Sequence, residues 1–547
     1  MKWISYSELY SNDVGITQLF IDYVENYEKV KDFYSANFKD KKEWRKKIEI
    51  VANRNINRTT LVKILMNQNR NFQCGVKTLA NIDHLINDNT LAVITGQQLG
   101  IFGGPLYTIY KIITLLKLVD NLNYKYPECN FVPIFWLESE DHDFNEVSYV
   151  KVIDKSNSLF TIRYNLSLKP TEGNRMPVGE INIDEQMKEI FEQLGQNLVQ
   201  TEFTNKIMDL FASSYKTNMK FRDAFVLLLN NLFENKGLIF FDPHDPECKK
   251  LMSPIFEKEI SSVSHTCQLV ISQSDILERN YHAQIKPRAI NLFMFLNGAR
   301  YAIEPQLNEF TLKGTRNTFS YNELMNKLHE NPDVFSPNVI LRPICQDFLF
   351  PTIAYVAGPT EVAYFAQLKP VYDYFDVPEP IIYPRASVTL VEEYIRKIID
   401  KFNLNVYDFL SDVEIIKSKV VSNTEDFNID AVYSEIIKKV DAELMNLRNN
   451  LEAIDHTLIY SLENAVGKVN KAINSLKQKT IEARKRQHEI SLRQLDKVSI
   501  HIHPNSSLQE RQLNIIYYLN KYGLEFIQWL MNEVVIDKFM HQVIDVE

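Results

Sequence analysis

The sequence predicts an α/β protein: a mostly parallel, doubly wound sheet that carries two insertions and is followed by a long helical segment. Three observations carry that prediction. Residues 91–147 read as strand, glycine-rich loop, helix and second strand, which is one β-α-β unit. Short apolar runs recur at 237–242 (GLIFFD), 338–342 (NVILR), 352–358 (TIAYVAG) and 380–383 (PIIY), with helical stretches between them. From Leu444 to Leu476 apolar residues step by three and four, the spacing of a heptad seam with one extra residue near Leu462.

Taken in order, 22–38 and 43–67 have charge and apolar residues at helical spacing and predict helices ending before Gly75. Residues 147–165 alternate like strands, 166–180 form a polar loop, and 183–196 and 202–235 are helical; together they make a first insertion at about 150–235. A second insertion at about 253–337 mixes a helix (254–264) with strands near 290–296 and 300–304. A helix over 361–375 joins the last two sheet strands. The expected layout is therefore a core over 1–390, a helical coiled-coil arm over 391–505 and, after the turn HIHPNSS, a helix within 506–547 that returns to the core. The basic stretch KQKTIEARKRQH on the arm is taken as a solvated helix face.

Bulk properties narrow the function classes. The 547 residues are 45% hydrophobic and 24% charged, ordinary for a globular protein, and the net charge of -9 leaves no basic footprint for nucleic acid. No apolar run approaches the ~20 residues needed to cross a bilayer. The N-terminus, MKWISYSELYSND, lacks the apolar centre of a signal peptide. Five scattered cysteines make neither a CxxC pair nor a disulfide framework, so a reduced, cytoplasmic protein without membrane contact is expected.

The chemistry gathers where strands end, the place at which open parallel sheets bind ligands. After the first strand, Gly100, Gly103, Gly104 and Pro105 lead into a helix whose N-terminus suits a phosphate or carboxylate. Gln97 and Gln98 add neutral donors and acceptors, and Lys111 a positive charge. The second strand, with Trp136, runs into Glu138, Glu140, Asp141, His142, Asp143 and Glu146. This cluster suits a divalent cation, a substrate ammonium or a general base, and its acids should raise the pKa of His142. Asp242 and His244 in FFDPHDP form either a turn or part of a nucleotide site. Arg342, Gln346, Glu361 and Arg385 also follow predicted strands, where arginines suit carboxylate or phosphate recognition as well as ion pairing. Cys345 reads more readily as a buried small hydrophobe than as a nucleophile. Neither a Walker A motif nor a GxGxxG fingerprint is present.

TGQQLGIFGGPLYTIYK, FWLESEDHDFNEV, LRPICQDFLFPTIAYVAGPTEVAYFAQLK, YPRAS and HPNSSLQERQLNIIYYLNKYGL, in that order, resemble the bacillithiol-biosynthesis cysteine-adding enzymes over nearly the whole chain. That resemblance implies a Rossmann-like core similar to class I aminoacyl-tRNA synthetases, with two connecting-peptide insertions and a coiled-coil domain that forms a homodimer. It implies a ligase that joins L-cysteine to the amine of glucosaminyl-malate, with ATP and Mg²⁺ as the expected activating cofactors and cysteinyl-adenylate as the class I-like route. On that reading Gly100 to Pro105 would cradle phosphate, and Glu140, Asp141 or Asp143 would hold the cysteine ammonium. Arg342, Arg385 or Lys111 would take the malate carboxylates, His142 would deprotonate the amine, and Tyr107 and Trp136 would join the substrate-binding set. The HIGH and KMSKS signatures of the synthetases are absent, which leaves the nucleotide site open.

Overall fold

The computed structural model describes residues 2–10, 15–165, 175–307, 309–423, 428–487 and 489–547. The loop expected over 166–180 falls outside them as far as residue 174. The chain forms two compact units: Met1–Thr389 with Gln509–Ile544, and Leu390–Leu508 with Asp545–Glu547.

The first unit is built on five parallel strands, Thr90–Gln97, Asn130–Leu137, Ile239–Phe241, Thr352–Ala357 and Ile381–Pro384. Numbered along the chain, their order across the sheet is 5-4-1-2-3, so the winding reverses between the first and fourth strands. Leu91 to Ile94 are fully buried, as a strand covered on both faces requires. The helices Leu106–Lys125 and Lys41–Ala52 both pack on the first and fourth strands. Register sets the strand ends level: Gly96 pairs with Trp136, Trp136 with Phe241, and Ala357 with Pro384.

NVILR is not a core strand. Phe335–Pro337 pairs antiparallel with Leu292–Leu296 in the second insertion, and Leu341–Leu349 is already helix. Asn338 decides this locally, because its side-chain oxygen accepts from the N–H groups of Ile340 and Leu341 and starts the helix. The second insertion is a five-stranded antiparallel sheet, and it gains a helix, His265–Leu277, that the spacing did not predict. The helix expected over 361–375 is two, Pro359–Phe365 and Lys369–Phe375, with Pro370 in the first turn of the second. The expected 43–67 helix likewise divides into Lys41–Ala52 and Arg58–Asn71, where the Asn57 side chain caps the N–H of Thr60.

In the second unit the heptad-spaced residues do not lie on one rod. Helices Ile429–Asn446 and Arg448–Ile454 end at Asp455, whose carboxylate caps the next helix, Thr457–Gln487, through the Thr457 N–H. The chain then doubles back: Asn470 bonds Asp441 at 2.8 Å and Tyr433 bonds Thr480 at 2.8 Å, the pairing of an antiparallel hairpin. Lys477 and Lys485, in the basic stretch, pair with Asp430 and Glu414. The return segment is three short helices, Gln509–Gln512, Ile515–Tyr522 and Glu525–Glu533, followed by the strand His541–Val546. In the first unit, that strand's residues His541 to Val543 pair with Lys2–Ile4.

Candidate active site

The level strand ends form the floor of a cleft of about 720 Å³ at the point where the winding reverses. Gly96 and Gln97 end the first strand and Gln98 follows it, Trp136 lies at the end of the second with Glu138, Glu140, Asp141 and His142 after it, Gly358 to Glu361 follow the fourth and Arg385 the fifth. The second insertion supplies Lys286, Arg288, Phe293 and Arg300, and the return segment supplies Arg511.

Four buried cations line this cleft: Lys111, Arg300, Arg342 and Arg385. Lys111 meets Glu361 at 2.5 Å and donates to the Gly96 carbonyl at 2.7 Å and to Gln97 at 3.0 Å. Burial lowers its pKa, against the pull of Glu361. Burial alone would raise the pKa of Glu361, but Lys111, the Gly358 N–H and the Tyr355 hydroxyl hold it below the usual range. Arg342 lies 3.2 Å from Glu138, donates to Gln346 at 3.0 Å and to Tyr364 at 3.4 Å, and its guanidinium sits near the Trp136 and Tyr355 rings. Arg385 is fixed by Glu510 at 2.6 Å and faces the ring of Tyr107. Gln346 itself does not line the cleft; it is fully buried and positions Arg342.

Glu138 is the acid that stands out. Its side chain is 27% exposed to the cleft, yet burial, with Asp141 and Glu361 adding and Arg342 opposing, pushes its pKa up to about 7. Glu140 is the opposite case. Burial would raise its pKa, but Lys249 and His244 at its carboxylate, with Arg300 farther off, hold it down to about 2, and Ser336 donates to the same carboxylate. Asp242 accepts from Ser139 and Arg222 and is tied off below the cleft. His244 gives its Nδ1 side to Glu140, which raises its pKa in spite of burial.

His142 corrects the sequence expectation. Its pKa is lowered, first by burial and then by Arg300, and Asp141 and Asp143 do not compensate. Asp141 accepts from Gln98 at 2.6 Å and from its own neighbouring N–H groups, and Gln98 also reaches Glu146 at 2.8 Å. Asp143 is exposed, caps the short helix Phe144–Val147 and is not part of the lining. The loop is held from the first insertion, where the Val178 and Gly179 N–H groups bond the carbonyls of Asp141 and Ser139.

The glycine-rich loop lies outside the cleft lining and is bonded by the return segment. Gly100, Gly103, Gly104 and Pro105 do not line the cleft. A Cβ on Gly100 would lie 2.6 Å from the Gly104 Cα, and Gly104 has φ +72°. Asn514 donates to the carbonyls of Phe102 and Gly104, and the Leu106 N–H is taken by the Leu513 carbonyl, so the return segment occupies the helix start. Cys345 is fully buried, and burial raises its pKa. Among the described residues no three His, Cys, Asp or Glu side chains converge to hold a metal ion, and no helix is long and apolar enough to cross a membrane.

The sequence reading named the acidic run but gave Glu138 no role, and it missed Lys249, Arg300, Ser336, Tyr364 and Arg511 altogether. Arg300 follows an Asn-Gly turn and Ser336 stands two residues before NVILR; only tertiary pairing brings Arg300 to the cleft and Ser336 to its guanidinium.

A reversing parallel sheet with charged side chains converging at its switch point defines a Rossmann-like α/β protein with a small-molecule site. The chain belongs to the bacillithiol-biosynthesis BshC family. Residues 4–386 match the family model described as "Bacillithiol biosynthesis BshC, N-terminal Rossmann-like domain", and 388–546 match "Bacillithiol biosynthesis BshC, C-terminal coiled-coil domain". Relatives described as "Putative cysteine ligase BshC" include that of Salinibacter ruber, 37% identical over 530 residues and 96% of each chain. That of Chloroherpeton thalassium is 35% identical over 95% of each chain, and that of Chlorobaculum tepidum 34% over 96%.

Proposed function

We propose that this protein joins the carboxyl group of L-cysteine to the amine of glucosaminyl-malate, forming bacillithiol in the cytoplasm, and that it acts as a homodimer through its helical unit. Family membership and the relatives' description as cysteine ligases support the reaction class. The observation that carries the chemistry is Glu138: a carboxylate half-open to the cleft, poised near neutrality and held beside Arg342.

An amide cannot form usefully from a free carboxylate, which must first exchange its oxygen for a better leaving group. ATP is the proposed activating co-substrate, and it supplies that leaving group. Arg385 and Arg511 fit its phosphates: Arg511 lines the cleft, donates to the Gly15 carbonyl at 3.4 Å and has no carboxylate at ion-pair distance among the described residues. Mg²⁺ enters this reading only as the companion of the triphosphate, because the described side chains build no metal cluster of their own. Asp141 and Glu146, bridged by Gln98, fit the cysteine ammonium. As the sugar amine bonds the cysteinyl carbon, it sheds a proton to Glu138, whose pKa suits a base at neutral pH. Arg342 keeps that carboxylate oriented. His142, neutral at pH 7, stands beside it as the second proton acceptor to be tested.

The test is to incubate purified, reduced protein with L-cysteine, glucosaminyl-malate, Mg²⁺ and ATP and follow products by mass spectrometry. Bacillithiol should form with stoichiometric AMP or ADP. Bacillithiol without nucleotide turnover would refute ATP as the activator, and no bacillithiol with any nucleoside triphosphate would refute the reaction.

A further inference from the structure

The four buried cations of the cleft are not alike. Lys111 has Glu361, Arg342 has Glu138 and Arg385 has Glu510 within ion-pair distance. Arg300, only 8% exposed, has no carboxylate within that distance among the described residues. Glu140, Asp141 and Glu138 offset its charge only from beyond that distance, and burial still lowers its pKa, so a buried guanidinium with no direct counter-ion points to one that arrives with a ligand.

The surroundings of Arg300 hold it ready. It lies on the strand Ala299–Gln306, joined to Leu292–Leu296 by a two-residue turn in which Asn297 and Gly298 both take positive φ. That tight turn fixes the register, with Phe295 opposite Arg300. The guanidinium lies 4.1 Å from the centroid of the Phe293 ring. Its Nε donates to Ser336 at 3.0 Å and one terminal nitrogen to the Pro337 carbonyl at 2.6 Å. Ser336 in turn donates to Glu140, itself occupied by Lys249. No protein acceptor takes the other terminal nitrogen among the described residues, and Lys286, exposed at the same wall, adds a second cation without a carboxylate at ion-pair distance.

We propose that Arg300, with Lys286 at the rim, is the receptor for the carboxylate end of the acidic substrate, so that the second insertion rather than the sheet selects it. This rests on the ligase reading above and adds the residue that sets substrate choice. A planar guanidinium stacked on an aromatic ring presents a donor edge to a carboxylate.

The test is calorimetric titration of the full chain with L-malate, and separately with inorganic phosphate, for wild type, Arg300→Gln and Lys286→Ala. Glutamine places its amide nitrogen where the arginine Nε stands and can keep the bond to Ser336, and circular dichroism checks the fold of each variant. Expected are malate binding by the wild type, a loss of roughly 30-fold or more in Arg300→Gln and a few-fold loss in Lys286→Ala, with phosphate affected less. Should Arg300→Gln not fold, undiminished malate binding by Lys286→Ala overturns the proposal and a few-fold loss supports it. No malate binding by the wild type, equal binding by Arg300→Gln, or a loss confined to phosphate would each overturn it. The product assay judges the ligase reading separately, since binding of the fragment needs no turnover.

Discussion

Burial moves Glu138 and His541 in opposite senses, and each gives the protein a measurable response to pH. For Glu138 the folded pKa of about 7 lies above the ordinary value of 4.5, so its favourable contribution to folding is complete at low pH and fades as pH rises through 7. Activity runs the other way, because only the ionised carboxylate accepts a proton. With Glu138 as the base, kcat/KM should climb through about pH 7, and Glu138→Gln should lower kcat by roughly 10²–10³ and erase that limb. An unchanged profile in that variant would remove Glu138 from the chemistry, and loss of the limb in His142→Ala instead would transfer the role. His541 is fully buried between Ser387 at 2.7 Å and Thr389 at 2.9 Å, and burial, despite Glu510, lowers its pKa to about 4. Its contribution is present above the unfolded value of 6.5 and is lost as pH falls towards 4, which amounts to about 3 kcal/mol. Urea unfolding of wild type and His541→Asn should therefore diverge near pH 7 and converge in acid; parallel curves would contradict this.

At the scale of elements, the glycine-rich loop shows how a local signal can give the form of a turn without giving its tertiary partners. The glycines do mark a tight turn before a helix, but the sequence around them cannot say that residues 513 and 514 arrive to bond it. Asn514→Ala removes two bonds to buried carbonyls and should destabilise the protein by about 2–3 kcal/mol, read as a lower urea midpoint at unchanged slope. The heptad seam carries the same lesson. Spacing by three and four continues in number from Leu444 to Leu476, yet Asp455 ends one helix and caps the next, so the pattern folds onto itself as a hairpin. Periodicity reports which face is apolar and says nothing of where a long helix turns. NVILR failed for a related reason: a short apolar run bounded by a capping asparagine fits a helix start as well as a strand.

At the scale of the molecule, the parallel core and its switch point were legible because strand ends rich in glycine, acid and arginine are grouped along the chain. Which cation pairs with which acid was not legible, since Glu140 meets Lys249 and Arg385 meets Glu510 only through tertiary packing across 109 and 125 residues. The proposed dimer has its own test at this scale. Leu447, Ile454 and Leu476 are 45%, 75% and 57% exposed on the helical hairpin. If a second copy covers them, Ile454→Asp with Leu476→Asp should halve the mass seen by light scattering, and an unchanged dimer would place the interface elsewhere. One more consequence follows from the pairing of Lys2–Ile4 with His541 to Val543 and from the hold of Glu510 on Arg385. All five core strands lie before residue 385, whereas Glu510, which anchors the cleft arginine, and His541 to Val543, which complete a separate three-stranded sheet, follow more than a hundred residues later. The first 508 residues thus hold the whole parallel sheet but neither the acid that fixes Arg385 nor the asparagine that ties the glycine-rich turn, so the site is finished only after the helical unit has been made.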